Sequence, residues 1–182
     1  MYHFEALPLE GAYLIRLPRF TDDRGVFVKP FNDDTFRQVG IGFELKESYF
    51  STSRKDVIRG MHFQLPPHHH SKVVYCPQGA ILDVIVDLRK ESPTYGQYYA
   101  HELSEENHLA YFIPEGFAHG FKALTEGAMT YYLVSSGYHK DSDTGILYNS
   151  IGYDWGVANP IISERDLSFG KLAEFDSPFV MP

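Results

Sequence analysis

Short apolar runs, cut at intervals by turn-forming residues, constrain what this chain can fold into more than any other feature. Pro66-Pro67, Pro77-Gln78-Gly79, Pro93-Thr94-Tyr95-Gly96 and Pro114-Glu115-Gly116 each close a run before it reaches ordinary helix length. This spacing reads as many antiparallel strands. The clearest strand is Ile81 to Arg89, where Leu82, Val84, Val86 and Leu88 face one way and Asp83, Asp87 and Arg89 the other. Met129 to Val134 is a second, and its alternation sends Tyr131 and Tyr132 to opposite sides. Only Asp33 to Val39 reads as a short helix. With no repeats, low-complexity tracts or Ser/Gly linker, the expectation is one all-β domain over residues 1–182, a jelly-roll sandwich or barrel with few short helices.

Composition fits that picture and excludes some partners. A chain of 182 residues with 43% hydrophobic residues can bury a sizeable core in one domain. Its 13 Tyr and 14 Phe favour strands over helices. A net charge of -8 argues against nucleic-acid binding, which needs a basic face, but leaves room for a small anion held by a few local arginines. Cys76 is the single cysteine, so no intrachain disulfide forms and a reducing compartment is expected. It follows Val73-Val74-Tyr75 and reads as core packing. Neither a signal-like start nor a run of transmembrane length is present, so the expected location is the cytoplasm.

Chemistry concentrates in two glycine- and aromatic-rich strands. Arg59-Gly60-Met61-His62-Phe63-Gln64 is followed by Lys72, and later by Gly116-Phe117-Ala118-His119-Gly120-Phe121. A tunable imidazole, further cationic groups and an arginine suit proton abstraction beside a carbonyl on an anionic substrate.

These fragments resemble the sugar-nucleotide branch of the cupins. The likeness runs through RGMHFQ at 59–64, SKVV at 71–74, ILDVIVDLRKESPTYGQ at 81–97, LSEEN at 103–107 and IPEGFAHGF at 113–121. In order and spacing they are similar to the dTDP-4-dehydrorhamnose 3,5-epimerase family, over roughly residues 13 to 166. The resemblance implies a cofactor-free, metal-free epimerase acting on a nucleotide-linked 4-keto-6-deoxyhexose, whose C3 and C5 hydrogens are acidified by the adjacent ketone. It casts His62 as the base and Asp166, in Ile162-Ser163-Glu164-Arg165-Asp166, as the carboxylate that orients it. Lys72 becomes the charge beside the enolate oxygen, with His119 near it. Tyr132 becomes the proton donor on the opposite face. Arg24 and Arg59 are cast as grips on diphosphate or sugar, with Phe27, Lys29, Glu47, Tyr49 and Tyr138 as further substrate-binding positions. The resemblance also implies a homodimer, in which Phe20 to Phe27 reaches into the neighbour's nucleotide pocket.

Departures from the family bear on substrate choice. Lys29 stands where the family usually has glutamate, and Glu47 and Tyr49 replace Gln-x-Asn. An acceptor at 47 and a donor at 29 would suit cytosine, so a CDP-linked sugar rivals the dTDP-linked one, provided both residues point at the base. Residues 148–155 also differ from the family's Trp-Asn-Asp pattern and read as about two residues shorter, just ahead of Asp166. The same groups do not fix whether C3 alone or both C3 and C5 are inverted.

Other readings compete. His68-His69-His70 with His62 and His119 suggests a metal-dependent cupin, although the usual His-x-His strand pattern is missing. The 3,4-ketoisomerase branch lacks the late aspartate motif that Ser163 to Asp166 supplies. A non-catalytic sugar-nucleotide-binding cupin would keep the pocket without turnover. His68 to His70 otherwise read as a polar loop at the pocket mouth.

Overall fold

A computed structural model describes residues 1–181. The strands run in chain order as β1 (His3–Ala6), β2 (Tyr13–Arg16), β3 (Arg19–Asp22), β4 (Gly25–Val28), β5 (Glu47–Ser53), β6 (Ile58–Gln64) and β7 (Lys72–Gln78). They continue as β8 (Ala80–Asp87), β9 (Tyr98–Ser104), β10 (Leu109–Ile113), β11 (Phe117–Ala123), β12 (Ala128–Val134) and β13 (Asp143–Gly145). Two short helices, α1 (Asp33–Gln38) and α2 (Glu164–Leu167), complete the regular structure beside two single 3-10 turns. The all-β jelly roll expected from the turn spacing is the fold observed.

One sheet has the order β1-β2-β10-β7-β12-β5 and faces a second of order β13-β6-β11-β8-β9. Between them lies a core of Leu14, Val74, Tyr111 and Val134 from the first sheet and Ile81, Ile85, Leu103 and Phe121 from the second. Each sheet is covered on its outer face too. Trp155, Ile151, Ile146 and Phe179 from the C-terminal segment lie over Val84, Val86 and Leu88. Phe36 of α1, with Ile41 and Phe43, covers Ile15, Val73, Phe112 and Leu133.

This double cover corrects the reading of the Ile81–Arg89 strand. The alternation is real, but its polar side is interior: Asp83 and Asp87 are 0% exposed. The strand also stops at Asp87 rather than Arg89. Asp87 turns back to accept hydrogen bonds from Arg89 N–H, Arg89 Nε, Ser92 Oγ and Thr94 Oγ1, which knits the Pro93-Thr94-Tyr95-Gly96 turn to the strand end. Burial of this carboxylate would raise its pKa, yet those donors hold it below the usual range.

The other local readings meet the structure closely. α1 spans Asp33–Gln38, with the Asn32 side chain accepting from Thr35 N–H at 3.0 Å as N-cap. Cys76 is buried, and burial pushes its thiol up to about 12. Among the described residues, no helix is long and apolar enough to cross a membrane.

Candidate active site

The site is a cavity of about 350 Å³ between the two sheets. Its walls are inward-facing residues of both, because each strand sends alternate side chains toward the interior. From the second sheet come His62 on β6 and His119 on β11, directly opposite each other in the ladder, with Asp143 at the start of β13. From the first come Lys72 on β7, Tyr132 on β12, and Glu47, Tyr49 and Ser51 on β5.

The strand that carries His62 is shaped by glycine. Gly60 has φ 140, and a Cβ there would stand 2.6 Å from Gly120 Cα on β11. The two backbones meet so closely that the β6–β11 register shifts between His119 and Phe121. The Gly60 N–H is turned to Asp166 Oδ2 at 3.0 Å. The other oxygen, Oδ1, lies 2.8 Å from His62 Nε2. Asp166 itself is set by α2, where Ser163 caps the helix and accepts from Asp166 N–H. Arg165, its neighbour, ties α2 to β13 through Asp143 at 2.6 Å and lies over the Phe169 ring, which packs edge-on to His62. The altered 148–155 segment therefore does not keep Asp166 from His62.

Electrostatics in the cavity follow from burial. Burial of Asp166 would raise its carboxyl, but the hydrogen bond and charge of His62 and the Gly60 N–H keep it below the usual range, as a carboxylate. With that carboxylate at Nε2, the imidazole donates there and its Nδ1 lone pair is free. Burial lowers Lys72 to about 8 despite the nearby Asp143 and Asp83 carboxylates, and its Nζ sits 3.4 Å from His62 O. His119 meets Asp83 at 2.8 Å, and burial pushes this pair toward neutrality from both sides, lowering His119 and raising Asp83. Tyr132 is held well above the ordinary phenol value by burial and by Tyr49 and Asp83, so it keeps its proton.

Of the residues singled out in the sequence, His62, Lys72, Tyr132, His119, Arg59, Glu47, Tyr49 and Tyr138 line this one cavity, and Asp166 stands behind His62. Arg59 reaches the rim, where its Nε donates to Ser53 Oγ. Glu47 accepts from Tyr138 N–H at 2.7 Å, and the Tyr138 ring is 66% exposed. Arg24, Phe27 and Lys29 are not in this cavity. They belong to the β3–β4 hairpin and the residue after it, and the two strands of that hairpin pair only with each other. Within one chain, the cytosine argument therefore rests on Glu47 alone.

The histidines at 68–70 do form a loop beside the pocket. His70, half-buried there, lines the cavity itself, and burial drives its pKa down to about 3. Gln64 Nε2 lies 3.0 Å from His70 Nδ1. His68 stacks on His139, and His69 pairs with Glu115. Among the described residues, no three His, Cys, Asp or Glu side chains converge as metal ligands. Sequence reasoning missed Gln64, His70, Asp83 and Asp143. Asp83 was visible as a charge alternating within an apolar strand, whereas Asp143 sits in an aperiodic stretch with no local signal.

Fold and cavity together define a cupin-type jelly roll with an acid–base pocket between its sheets. The dTDP-4-dehydrorhamnose 3,5-epimerase family matches residues 6–174. A dTDP-4-dehydrorhamnose 3,5-epimerase of Shigella flexneri is 41% identical over 160 residues, covering 86% of this chain and 88% of its own. A dTDP-4-dehydrorhamnose 3-epimerase of Streptomyces niveus is 35% identical, covering 97% and 86%. The solved dTDP-6-deoxy-D-glucose-3,5-epimerase of Legionella pneumophila, in complex with dTDP-4-keto-L-rhamnose, superposes with a TM-score of 0.94 at 30% identity, over 100% of both chains. The chain belongs to the dTDP-4-dehydrorhamnose 3,5-epimerase family. It is an isomerase that epimerises a nucleotide-linked 4-keto-6-deoxy sugar.

Proposed function

We propose that the enzyme inverts C3 of its 4-keto sugar through an enolate, with His62 as base and Tyr132 as acid. The observation that carries this reading is their placement on opposite sheets with one cavity between them. His62 Nδ1 takes the C3 proton, and Asp166 stabilises the imidazolium through Nε2. Negative charge gathers on the C4 oxygen, where Lys72 supplies the cation. Because burial keeps His119 neutral, it completes the polar wall rather than carrying the charge. Tyr132 then returns a proton to C3 from the other side, which inverts the centre. No group outside the protein is required, since the substrate ketone acidifies the hydrogen.

Arg59 at the cavity rim and Tyr138 at its mouth suit the diphosphate and the base. The relatives' names favour dTDP. A second reading, a CDP sugar, is favoured by Glu47, whose carboxylate is an acceptor for an exocyclic amine. The enzyme acts as one domain, in the cytoplasm, and as a homodimer. Supporting the dimer, Phe20, Val26 and Phe27 on the β3–β4 hairpin, which pairs with neither main sheet, are each more than half exposed. Exchange across such a dimer would bring Arg24, Phe27 and Lys29 to a neighbour's pocket.

Proton NMR in deuterated water, with dTDP- and CDP-4-keto-6-deoxyglucose, tests the reading. Deuterium should enter at C3, the faster nucleotide names the substrate, and C5 exchange is scored in the same spectrum. His62→Asn should abolish exchange. Exchange surviving in that variant would remove His62 as the base.

A further inference from the structure

Tyr132 is the only part of the proposed proton path with no ion pair to hold it, and its position depends on packing. Its ring is buried and bracketed from two sides. On one side Tyr49, directly opposite it in the β12–β5 ladder, stacks face to face at 4.7 Å with an interplanar angle of 22°. On the other, His119 meets it edge-on at 5.8 Å and 75°. Tyr49 is itself 41% exposed and lies on β5, the edge strand of its sheet. A ring this exposed contributes little to the core, yet it covers one whole face of Tyr132.

We propose that Tyr49 is a positioning residue: its cross-strand stack fixes the Tyr132 phenol at the height and tilt needed to protonate the enolate from the side opposite His62. The inference rests on the acid–base reading above. It has a specific consequence, because an enolate has two fates. Protonation by Tyr132 inverts C3, whereas return of a proton from the His62 side restores the starting stereochemistry. Loosening Tyr132 should leave abstraction intact and shift the enolate toward return. Misplacement of a reacting group by about 1 Å can cost on the order of 100-fold, so the partition is a sensitive reporter.

The experiment compares wild type, Tyr49→Phe and Tyr49→Ala in deuterated water, with whichever of the two nucleotide sugars the wild type exchanges. Two rates are read by NMR: deuterium washed into C3 of recovered starting isomer, and appearance of the C3-inverted product. In Tyr49→Ala the ratio of inversion to washout should fall by about tenfold or more, the two rates being compared within the same variant. Tyr49→Phe preserves the stack and should keep the wild-type ratio. An unchanged ratio in Tyr49→Ala overturns the proposal. So does a fall in Tyr49→Phe equal to that in Tyr49→Ala, which would make the hydroxyl a substrate contact instead. A parallel loss of washout and inversion in Tyr49→Ala also overturns it, since that marks general disruption of the site. Tyr132→Phe separates this from the reading beneath it: inversion surviving there removes Tyr132 as the acid, whatever Tyr49 does.

Discussion

Asp166 uses both carboxylate oxygens, one on His62 Nε2 and one on the Gly60 N–H. An amide in its place can accept with its oxygen but must present N–H₂ to one of two donors. Asp166→Asn should therefore mis-set the His62 tautomer, and kcat should fall by roughly 10³–10⁴-fold with little change in KM. Steady-state kinetics check this, and a variant within tenfold of wild type would remove the orienting role. Lys72 gives a pH signature at the same scale. Its folded pKa is lowered to about 8 by burial, so the cation that faces the developing enolate is present below that value and is lost as pH rises through it. The kcat profile should fall on the alkaline side near pH 8. Lys72→Arg, which stays charged, should move that limb upward, and Lys72→Met should cost about 10²–10³ at neutral pH. An alkaline limb unmoved in Lys72→Arg would assign it to another group.

Elements differ in how firmly their own sequence specifies them. The β3–β4 hairpin carries exposed Phe20 and Phe27 and pairs with neither main sheet, so its role lies in what it docks on. In the proposed homodimer, replacing both by Asp should give a monomer by sedimentation without unfolding the jelly roll, and a dimer that persists would place the interface elsewhere. Local signals read well where the physics is local: the turn residues marked the strand ends, and alternation separated Tyr131 from Tyr132. Alternation also set Asp83 apart from Val84 and Val86, but it does not say which side is covered. That depended on Trp155 and Phe179, which fold back from more than 60 residues away in the chain, and loop closure of that length leaves no local trace. The same limit hid Asp143, which reaches the cavity because β13 pairs with β6, a partner about 80 residues earlier in the chain. Position 70 failed for another reason: three successive histidines read as polar, whereas burial makes each a different thing.

At the scale of the whole molecule, the cavity is a store of suppressed charge, and His70 shows what that does to stability. In the fold, burial and the neighbouring Lys72, His69 and His119 hold it near 3, against about 6.5 when unfolded. Between those values the unfolded chain binds the extra proton and the native chain does not. Protons therefore favour unfolding there, and stability falls as pH drops below 6.5, levelling off only below about 3. Protonation would also set a second cation beside Lys72. At about pH 4.5, two units below the unfolded value, this single group should account for roughly 2.5 kcal/mol of lost stability, given about 1.36 kcal/mol per pKa unit. His70→Gln removes the titration while keeping a polar side chain of similar reach. Urea midpoints measured at pH 7 and about 4.5 should show the variant losing less stability on acidification than wild type, by about that amount. Parallel acid losses would mean that His70 takes up its proton in the fold over the same pH range as in the unfolded chain, and that the cavity tolerates a second cation beside Lys72.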